Sequence, residues 1–229
     1  MLKVLVIDIG GSKVKFAVPG SRAKRSIPTE RALTPRRLLE LLGSITVGWE
    51  YDVVSIGFPG PVIHGRPSLD PAKFGKGWDS FDFEKHFKKP VKIINDAAMQ
   101  ALGGYKGGRM LFIGLGTGLG SALILDDIIV PLELGELTDP HGRRLASILG
   151  KRGLKRRGLT GWRRSFRKIA PRLRAAFRTD YIAIGGGNAK HLGRLPRWIR
   201  RGGNHLALAG GARLWNTSVR HVKHTWILG

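Results

Sequence analysis

The sequence predicts an α/β protein of two lobes with a ligand cleft between them. Apolar runs typical of buried strands alternate with helix-forming runs, and a glycine-rich turn follows several of the strands. The stretch VIDIGGSKVKFAV (residues 6–18) is echoed by FIGLGTGLGSALIL (residues 112–125). Two similar strand–turn–strand units indicate an internal duplication. We therefore expect an N-terminal lobe over residues 1–96 and a C-terminal lobe over residues 97–229.

The first strand–turn–strand unit can bind an anion. A strand is predicted over residues 2–9 and a second one, with period-two alternation, over residues 13–18. The turn between them, Gly10–Ser12, offers backbone N–H groups and a hydroxyl to a phosphate. Asp8, just before the turn, can hold a magnesium ion through water.

Three predicted features follow before the centre of the chain. Thr34-Pro35 predicts the start of a helix, with Gly43 beyond its end. A buried strand over residues 53–56 runs into Gly57–Pro61, a rigid loop that can line a pocket or serve as a plain turn. The polar and aromatic stretch 68–89 is predicted as a loop and a short helix that cover the sheet edge.

The stretch VKIINDAAMQAL (residues 91–102) organises the chain. Four strand residues run into Asn95-Asp96, and a helix-forming run follows at once. A carboxylate at this place lies at the carboxyl end of a strand, where open α/β sheets usually carry their chemistry. Asp96 either caps the helix or reacts, and the surrounding glycine-rich turns favour the second interpretation.

The second strand–turn–strand unit is predicted over residues 110–130. Its GLGTGLG turn is followed by a strand, which argues against a dinucleotide-binding fingerprint, because that fingerprint opens a helix. The following LELGEL segment carries Glu133 and Glu136, which either face a polyhydroxyl ligand or lie in a solvated loop.

The remaining predictions concern the basic end of the chain. Gly185–Asn188 follow a strand at the start of a helix and form a possible anion site. The other predicted elements are a helix at 145–149, an exposed segment at 151–159, a helix at 162–177 that Pro171 kinks or splits, strands at 181–184 and 205–209, and a terminal helix at 215–226. His221 and His224 have helical spacing, but without a nearby carboxylate we expect no metal site there.

Composition and charge limit the partners. The chain is 42% hydrophobic, which is typical of a folded protein, and lacks cysteine, which excludes disulfides and thiolate sites. Its net charge is +24, and residues 140–229 hold 22 Lys and Arg residues against one acid, Asp180. This excess indicates a polyanionic partner or a host-wide bias toward basic proteins. With neither a signal peptide nor a membrane-length apolar run, we expect a cytoplasmic protein without a membrane partner.

Taken together and in order, the motifs resemble a known family. DIGGSKVKFAV, GFPGPV, INDAAMQAL, LGTGLGSALI, ELGE and GGGN are similar to the motifs of the ROK family of sugar kinases, which have the two-lobed actin-like ATPase (ribonuclease H-like) fold. The likeness covers nearly the whole chain. It is greatest to the polyphosphate glucokinase branch, in which a similar basic segment and tryptophan lead into the strand ending in GGG.

The resemblance implies a role for each matching residue. Asp96 is implied as the catalytic base for the sugar hydroxyl, with Asn95 holding a neighbouring hydroxyl. Gly60 and Glu133 are implied on the sugar side, and Asp8 near Mg²⁺. The implied donor-binding residues are Asp8, Gly10, Gly11, Ser12 and Lys13 in the first motif, Gly116, Thr117 and Gly118 in the second, and Gly185, Gly186, Gly187 and Asn188 beside the nucleoside or its polyphosphate substitute.

The resemblance also has departures. The zinc-binding Cys/His motif of the family is missing, Glu136 stands where a sugar-contacting histidine is usual, and no further sugar-binding glutamate is evident over 137–144. We expect a kinase for the 6-hydroxyl of glucose that uses Mg²⁺ with polyphosphate, ATP or both. The alternatives are an ATP-dependent kinase for another hexose and a non-catalytic protein that binds polyanions or nucleic acid. We expect a homodimer, with nucleic acid as no more than a non-specific partner.

Overall fold

The computed structural model describes residues 2–71, 73–126, 128–203, 205–216, 220–222 and 225–227. In chain order, its elements are β1 (Val4–Ile9), β2 (Lys13–Ala17), β3 (Lys24–Pro28), α1 (Pro35–Ile45), β4 (Val53–Phe58), β5 (Val62–Ile63), β6 (Arg66–Pro67), α2 (Phe83–Phe87), β7 (Val91–Asn95), α3 (Asp96–Gly104), β8 (Met110–Leu115), β9 (Leu119–Leu125), β10 (Ile128–Leu132), α4 (Leu145–Leu149), α5 (Lys151–Ala176), β11 (Tyr181–Gly185), β12 (Ile199–Arg201), α6 (His205–Arg213), β13 (Arg220–Val222) and β14 (Thr225–Ile227). The predicted α/β class is confirmed.

Two mixed sheets share one plan. The first sheet has the order β3-β2-β1-β4-β7, and the second has the order β12-β11-β8-β9-β10-β14-β13. In the first, β1 pairs antiparallel with β2 and parallel with β4. In the second, β8 pairs antiparallel with β9 and parallel with β11. The echoed stretches 6–18 and 112–125 therefore occupy equivalent places in the two sheets.

The helices and sheets form layers around three apolar clusters. Helices α3 and α6 lie between the sheets, where they pack against residues of both, such as Val6 and Phe112. Helix α1 covers the outer face of the first sheet. Helix α5 covers the outer face of the second sheet through apolar residues such as Trp162 and Phe166. Because α3 contacts strands of both sheets and α6 packs against α3 and the first sheet, these helices fix the relative position of the two strand–turn–strand units.

Several local predictions hold. Helix α1 begins after Thr34, whose hydroxyl accepts a hydrogen bond from the Arg37 N–H, as an N-cap does. Helices α2 and α4 lie where a short helix was expected. In the segment that precedes α2, the buried Trp78 donates from its indole nitrogen to the carbonyl of Leu33, over 3.1 Å, and covers the first sheet.

Other predictions are wrong, and the reasons are physical. Helix α1 continues past Gly43 to Ile45, so this glycine is internal. The segment 151–159 is mostly exposed, as predicted, but it is helical and forms the start of α5. The helix is interrupted at Gly158, whose backbone is not helical (φ 62°, ψ 175°), and Pro171 does not split it, since its apolar face stays packed on the sheet.

The end of the chain also differs from the predictions. Residues 205–209 are predicted as a strand but form the first half of α6, because Leu206, Ala207, Gly210 and Gly211 are buried together on one helical face. In place of the predicted terminal helix, β13 and β14 form a hairpin that extends the second sheet beside β10. Residues 217–219 and 223–224, including His224, lie outside the described residues.

Candidate active site

The turns predicted to hold phosphate meet each other. Gly10–Ser12 connects β1 to β2, and Gly116–Gly118 connects β8 to β9. The hydroxyls of Ser12 and Thr117 are 3.1 Å apart, although 105 residues separate them in the chain. Both side chains are exposed, so the paired turns form one polar surface that a phosphate chain can reach.

Hydrogen bonds hold each turn in place. In the first turn the Gly10 N–H donates to the Lys13 carbonyl over 3.0 Å, while the Thr29 hydroxyl donates to the Gly10 carbonyl over 2.6 Å. In the second, the Gly116 carbonyl accepts from the Lys151 N–H at 3.0 Å and from the Asn188 amide at 3.1 Å. Lys13 itself is exposed. Because these hydrogen bonds already fix the conformation of the turns, the turns can present N–H groups to an anion without a conformational change on binding.

The third predicted motif, Gly185–Asn188, lies against the second turn. Gly186 has φ +81°, and a Cβ atom there would lie 2.5 Å from the Leu115 carbonyl oxygen, so only glycine allows this approach. Asn188 binds that turn through its backbone N–H as well, which donates to the Leu115 carbonyl over 2.9 Å. Gly187 is exposed beside them. The motif therefore braces the second turn and extends its surface, and a single short 3₁₀ turn follows it instead of an α-helix.

Asn95 and Asp96 connect β7 to α3. The Asn95 side-chain oxygen accepts from the N–H groups of Ala97 and Ala98, at 3.0 and 3.1 Å, and caps the helix. Its amide nitrogen donates to the Gly60 carbonyl over 3.2 Å. The polar atoms of Asn95 thus tie the Gly60 loop to the start of α3, and the cap role that was open for Asp96 belongs mainly to its neighbour.

The electrostatic surroundings of Asp96 are those of a base. Burial and the charges of Asp8 and Glu133 raise the pKa of Asp96, while the Ala97 N–H and Lys15 lower it, and the net result is a pKa of about 7. The charges of Asp8, Lys15 and Glu133 therefore all act on the Asp96 carboxylate. A carboxylate with a pKa near neutrality can accept a proton from a substrate and release it again.

Asp8 forms an ion pair that was not predicted. The carboxylate is 2% exposed and accepts a hydrogen bond from Lys15 Nζ over 2.7 Å. The two residues are direct cross-strand partners in the β1–β2 hairpin. The pairing register of the hairpin is the information that would have revealed this ion pair, because opposite charges at directly opposed positions of a hairpin attract each other.

The residues around the turns are compatible with a magnesium ion whose ligands come mostly from water and from the bound phosphate donor. Among the described residues, no group of three or more His, Cys, Asp or Glu side chains could hold a metal ion. Mg²⁺ usually takes one or two carboxylates, several waters and the oxygens of a phosphate substrate. Asp8, buried beside the first turn, fits the role of that carboxylate acting through water.

The two glutamates predicted on the sugar side differ in their surroundings. Burial raises the pKa of Glu133, and the neighbouring charge of Glu136 acts in the same direction. Glu136 is exposed, and its carboxylate forms an ion pair with Arg144 over 3.1 Å. The charge of Glu133 thus acts on Asp96, whereas Glu136 is bound to a basic residue of the following loop.

The chain is similar to known sugar kinases. The sequence model of the ROK family matches residues 4–131, more than half of the chain. N-acetylmannosamine kinase from Yersinia pestis (strain Pestoides F) is 29% identical over 166 residues, which are 62% of this chain and 56% of that protein. The chain thus matches little more than half the length of these curated relatives.

Solved structures match almost the whole chain. The inorganic polyphosphate/ATP-glucomannokinase of Arthrobacter sp. strain KM has a TM-score of 0.77 at 25% identity, with 93% of this chain and 98% of that chain covered. A ROK family glucokinase from Streptomyces griseus, in complex with glucose and AMPPNP, has a TM-score of 0.75 at 18% identity over the same shares. The second likeness is one of fold. The family match and the shared architecture together establish that this chain belongs to the ROK family and has its two-lobed actin-like fold.

Proposed function

We propose that this protein is a sugar kinase that transfers a phosphoryl group from polyphosphate, ATP or both to the 6-hydroxyl of glucose. The observation that carries the proposal is the position of Asp96, a base with a pKa of about 7, in the electrostatic field of Asp8 beside the phosphate turns. Phosphoryl transfer requires mainly positioning and charge neutralisation, and both are available here.

The proposed reaction uses Asp96, the two phosphate turns and Lys15. Asp96 accepts the proton of the hydroxyl while the sugar oxygen forms a bond to phosphorus and the bond from phosphorus to the leaving phosphate breaks. The turns containing Ser12 and Thr117 bind the donor through N–H and hydroxyl groups. Lys15, close to Asp8, contributes positive charge. When bound, Mg²⁺ supplies charge neutralisation on the donor phosphates.

Different observations support the proposed donor and the proposed sugar. The basic second half of the chain favours a polyphosphate donor, since a long anion gains from many positive charges. The solved relative at 25% identity, named as a polyphosphate/ATP-glucomannokinase, agrees with this. A second candidate is an ATP-dependent kinase for another hexose. It is favoured by the Glu136–Arg144 ion pair at a usual histidine position and by the relatives named as N-acetylmannosamine kinases.

A panel of sugars and donors tests the proposal. Purified protein with Mg²⁺ should phosphorylate glucose with polyphosphate or ATP, measured as 6-phosphosugar formed. Faster turnover of N-acetylmannosamine or mannose, with ATP alone, would favour the second candidate. Absence of turnover with every sugar and both donors would contradict kinase function, and would favour a non-catalytic protein that binds polyanions.

The pH dependence of turnover should report the charges around Asp96. Lys15 lowers the pKa of Asp96, so Lys15→Met should raise that pKa and move the acid limb of kcat/KM to higher pH. Lys15→Arg should keep the limb near its original position, because it retains the charge. Lys24→Met, which removes an exposed lysine of β3 in the same sheet, is the matched control. An acid limb that stays unchanged in Lys15→Met would contradict the assigned role of Asp96.

A further inference from the structure

A groove lies between helix α5 and the segment 192–199, which leads from Asn188 to β12. It consists of two adjoining compartments of about 450 and 410 Å³ that share Pro171 and Trp198. Helix α5 begins at the second phosphate turn, where Lys151 bonds to Gly116. Arg163, the first groove residue on the helix, comes after the interruption at Gly158, where the chain turns so that the Trp162 indole donates to the Leu149 carbonyl over 2.8 Å. The lining of the groove contains none of the residues of the phosphate turns, although the segment 192–199 begins four residues after Asn188.

The rim of the groove is basic and carries no matching acid. Five arginines line the two compartments, namely Arg163, Arg167 and Arg194 in the first and Arg174 and Arg178 in the second. None of the five forms an ion pair within the described part of the chain. The single acid of the last 90 residues, Asp180, accepts the backbone N–H of Arg109 instead.

Two of these guanidinium groups are held in place by the backbone. Arg163 Nε donates to the His191 carbonyl over 2.6 Å, and Arg174 Nε donates to the Thr179 carbonyl over 3.2 Å. These bonds use the inner nitrogen and orient the guanidinium plane. An oriented guanidinium is suited to bidentate contact with phosphate oxygens.

The floor of the groove is apolar and aromatic, which polyphosphate alone does not require. Phe166, Ala170 and Leu195 line the first compartment, and the half-buried Trp198 lines both. The Arg174 guanidinium lies 5.2 Å from the centre of the Trp198 ring, within the range of a cation–π contact. Nucleobases stack on such aromatic rings and on guanidinium planes.

The second compartment of the groove also contains a buried hydroxyl group. Thr179 lines the second compartment and is 4% exposed, and its hydroxyl has no hydrogen-bond partner in the part of the chain that the structure describes. A buried hydroxyl normally has a partner, and a polar ligand in the adjoining compartment would supply one.

From these features we infer that the groove binds single-stranded nucleic acid, with phosphates on the arginines and a base on Trp198. The inference does not depend on the proposed kinase activity, because the groove uses none of the phosphate-turn residues. Polyphosphate shares the phosphate chemistry but has no base, so Trp198 distinguishes the two ligands.

Binding of a fluorescein-labelled RNA twelve-mer to the full chain, followed by anisotropy, tests the inference, with the matching DNA strand as a second probe. Trp198→Ala should weaken binding about tenfold and leave its salt dependence unchanged, since stacking is not ionic. Trp198→Phe should restore most of the affinity. Arg167→Ala should weaken binding and lower the slope of log K against log salt by about 0.7.

Arg22→Ala, which removes an exposed arginine outside the groove, is the matched control and should bind as the native chain does. Thermal melting shows whether each variant is folded, and Arg167, an exposed residue, keeps the test valid if Trp198→Ala unfolds. Equal affinity of the native chain, Trp198→Ala and Arg167→Ala for RNA would overturn the inference. So would RNA binding that Arg22→Ala weakens as much as Arg167→Ala does.

Discussion

Asp96→Asn should lower the rate of sugar phosphorylation by about 10²–10⁴-fold and leave the binding of the donor largely unchanged. The amide has nearly the shape of the carboxylate but cannot accept the proton of the sugar hydroxyl, so the loss falls on kcat. Steady-state rates with saturating sugar and donor measure this effect. Undiminished phosphorylation by Asp96→Asn would eliminate Asp96 as the base.

The same substitution should stabilise the folded protein at alkaline pH. Burial and the charges of Asp8 and Glu133 raise the pKa of Asp96 to about 7. The folded state therefore holds the proton more tightly than the unfolded chain does, and stability falls as the pH rises from near 4 through 7. The shift corresponds to about 4 kcal/mol at most, and partial solvent contact reduces it to about 2 kcal/mol.

Denaturant unfolding at two pH values checks this expectation. Asp96→Asn should gain stability near pH 8, where the native carboxylate is ionised, and gain little near pH 4, where it is protonated. Asp79→Asn, which changes an exposed acid, serves as the control and should show no such difference. A gain of equal size at both pH values would mean that the charge of Asp96 is not its cause.

Gly210→Ala should destabilise the protein by about 3 kcal/mol or more, the largest effect on folding that we expect from adding one methyl group. A Cβ atom at Gly210 would lie 1.8 Å from the backbone carbonyl oxygen of Met99, where α6 crosses α3. Backbone cannot move aside as the end of a side chain can, so the helices must separate. Since α3 begins at Asp96, turnover should fall as well.

Gly43→Ala provides the matched control for this prediction. Gly43 is also an internal helix residue, but nothing lies within 4 Å of its would-be Cβ atom. Alanine there should stabilise the protein by about 0.5–1 kcal/mol, because it restricts the unfolded chain and favours the helix. Denaturant midpoints measure both changes. If the two substitutions had equal effects, the close contact of α3 and α6 would not limit stability.

Much of the fold and the candidate site could be predicted because their signals are local. A strand that ends in a glycine-rich turn is visible in a few residues, and so the turns at Gly10–Ser12 and Gly116–Gly118 were identified correctly. The helix cap of α1 at Thr34 was found in the same way. The contact between the two turns depends on how the two sheets pack together. No local pattern reveals this contact, and only the resemblance to a family, which assigns both turns to the donor, indicated it.

The missed features depend on partners that are distant in sequence. The segment 205–209 is predicted as a strand, whereas in the structure it is helical, and the following Gly210 and Gly211 allow α6 to approach α3 and Val6. The Asp8–Lys15 ion pair can be predicted only when the register of the β1–β2 hairpin is known. The groove at Trp198 requires α5 and the segment 192–199 to lie side by side, which no single stretch of sequence reveals.

The contact of α6 with the first sheet has a consequence for the synthesis of the protein on the ribosome. The Ser55 hydroxyl donates to the carbonyl of Gly211 over 2.7 Å and accepts from the Trp215 indole nitrogen over 2.9 Å, and Lys92 donates to the carbonyl of Leu214 over 2.7 Å. The inner face of the sheet formed by residues 4–95 is thus covered by a segment translated more than a hundred codons later. Until that segment leaves the exit tunnel, this part of the nascent sheet stays uncovered, and exposed apolar surface of this kind is prone to aggregation.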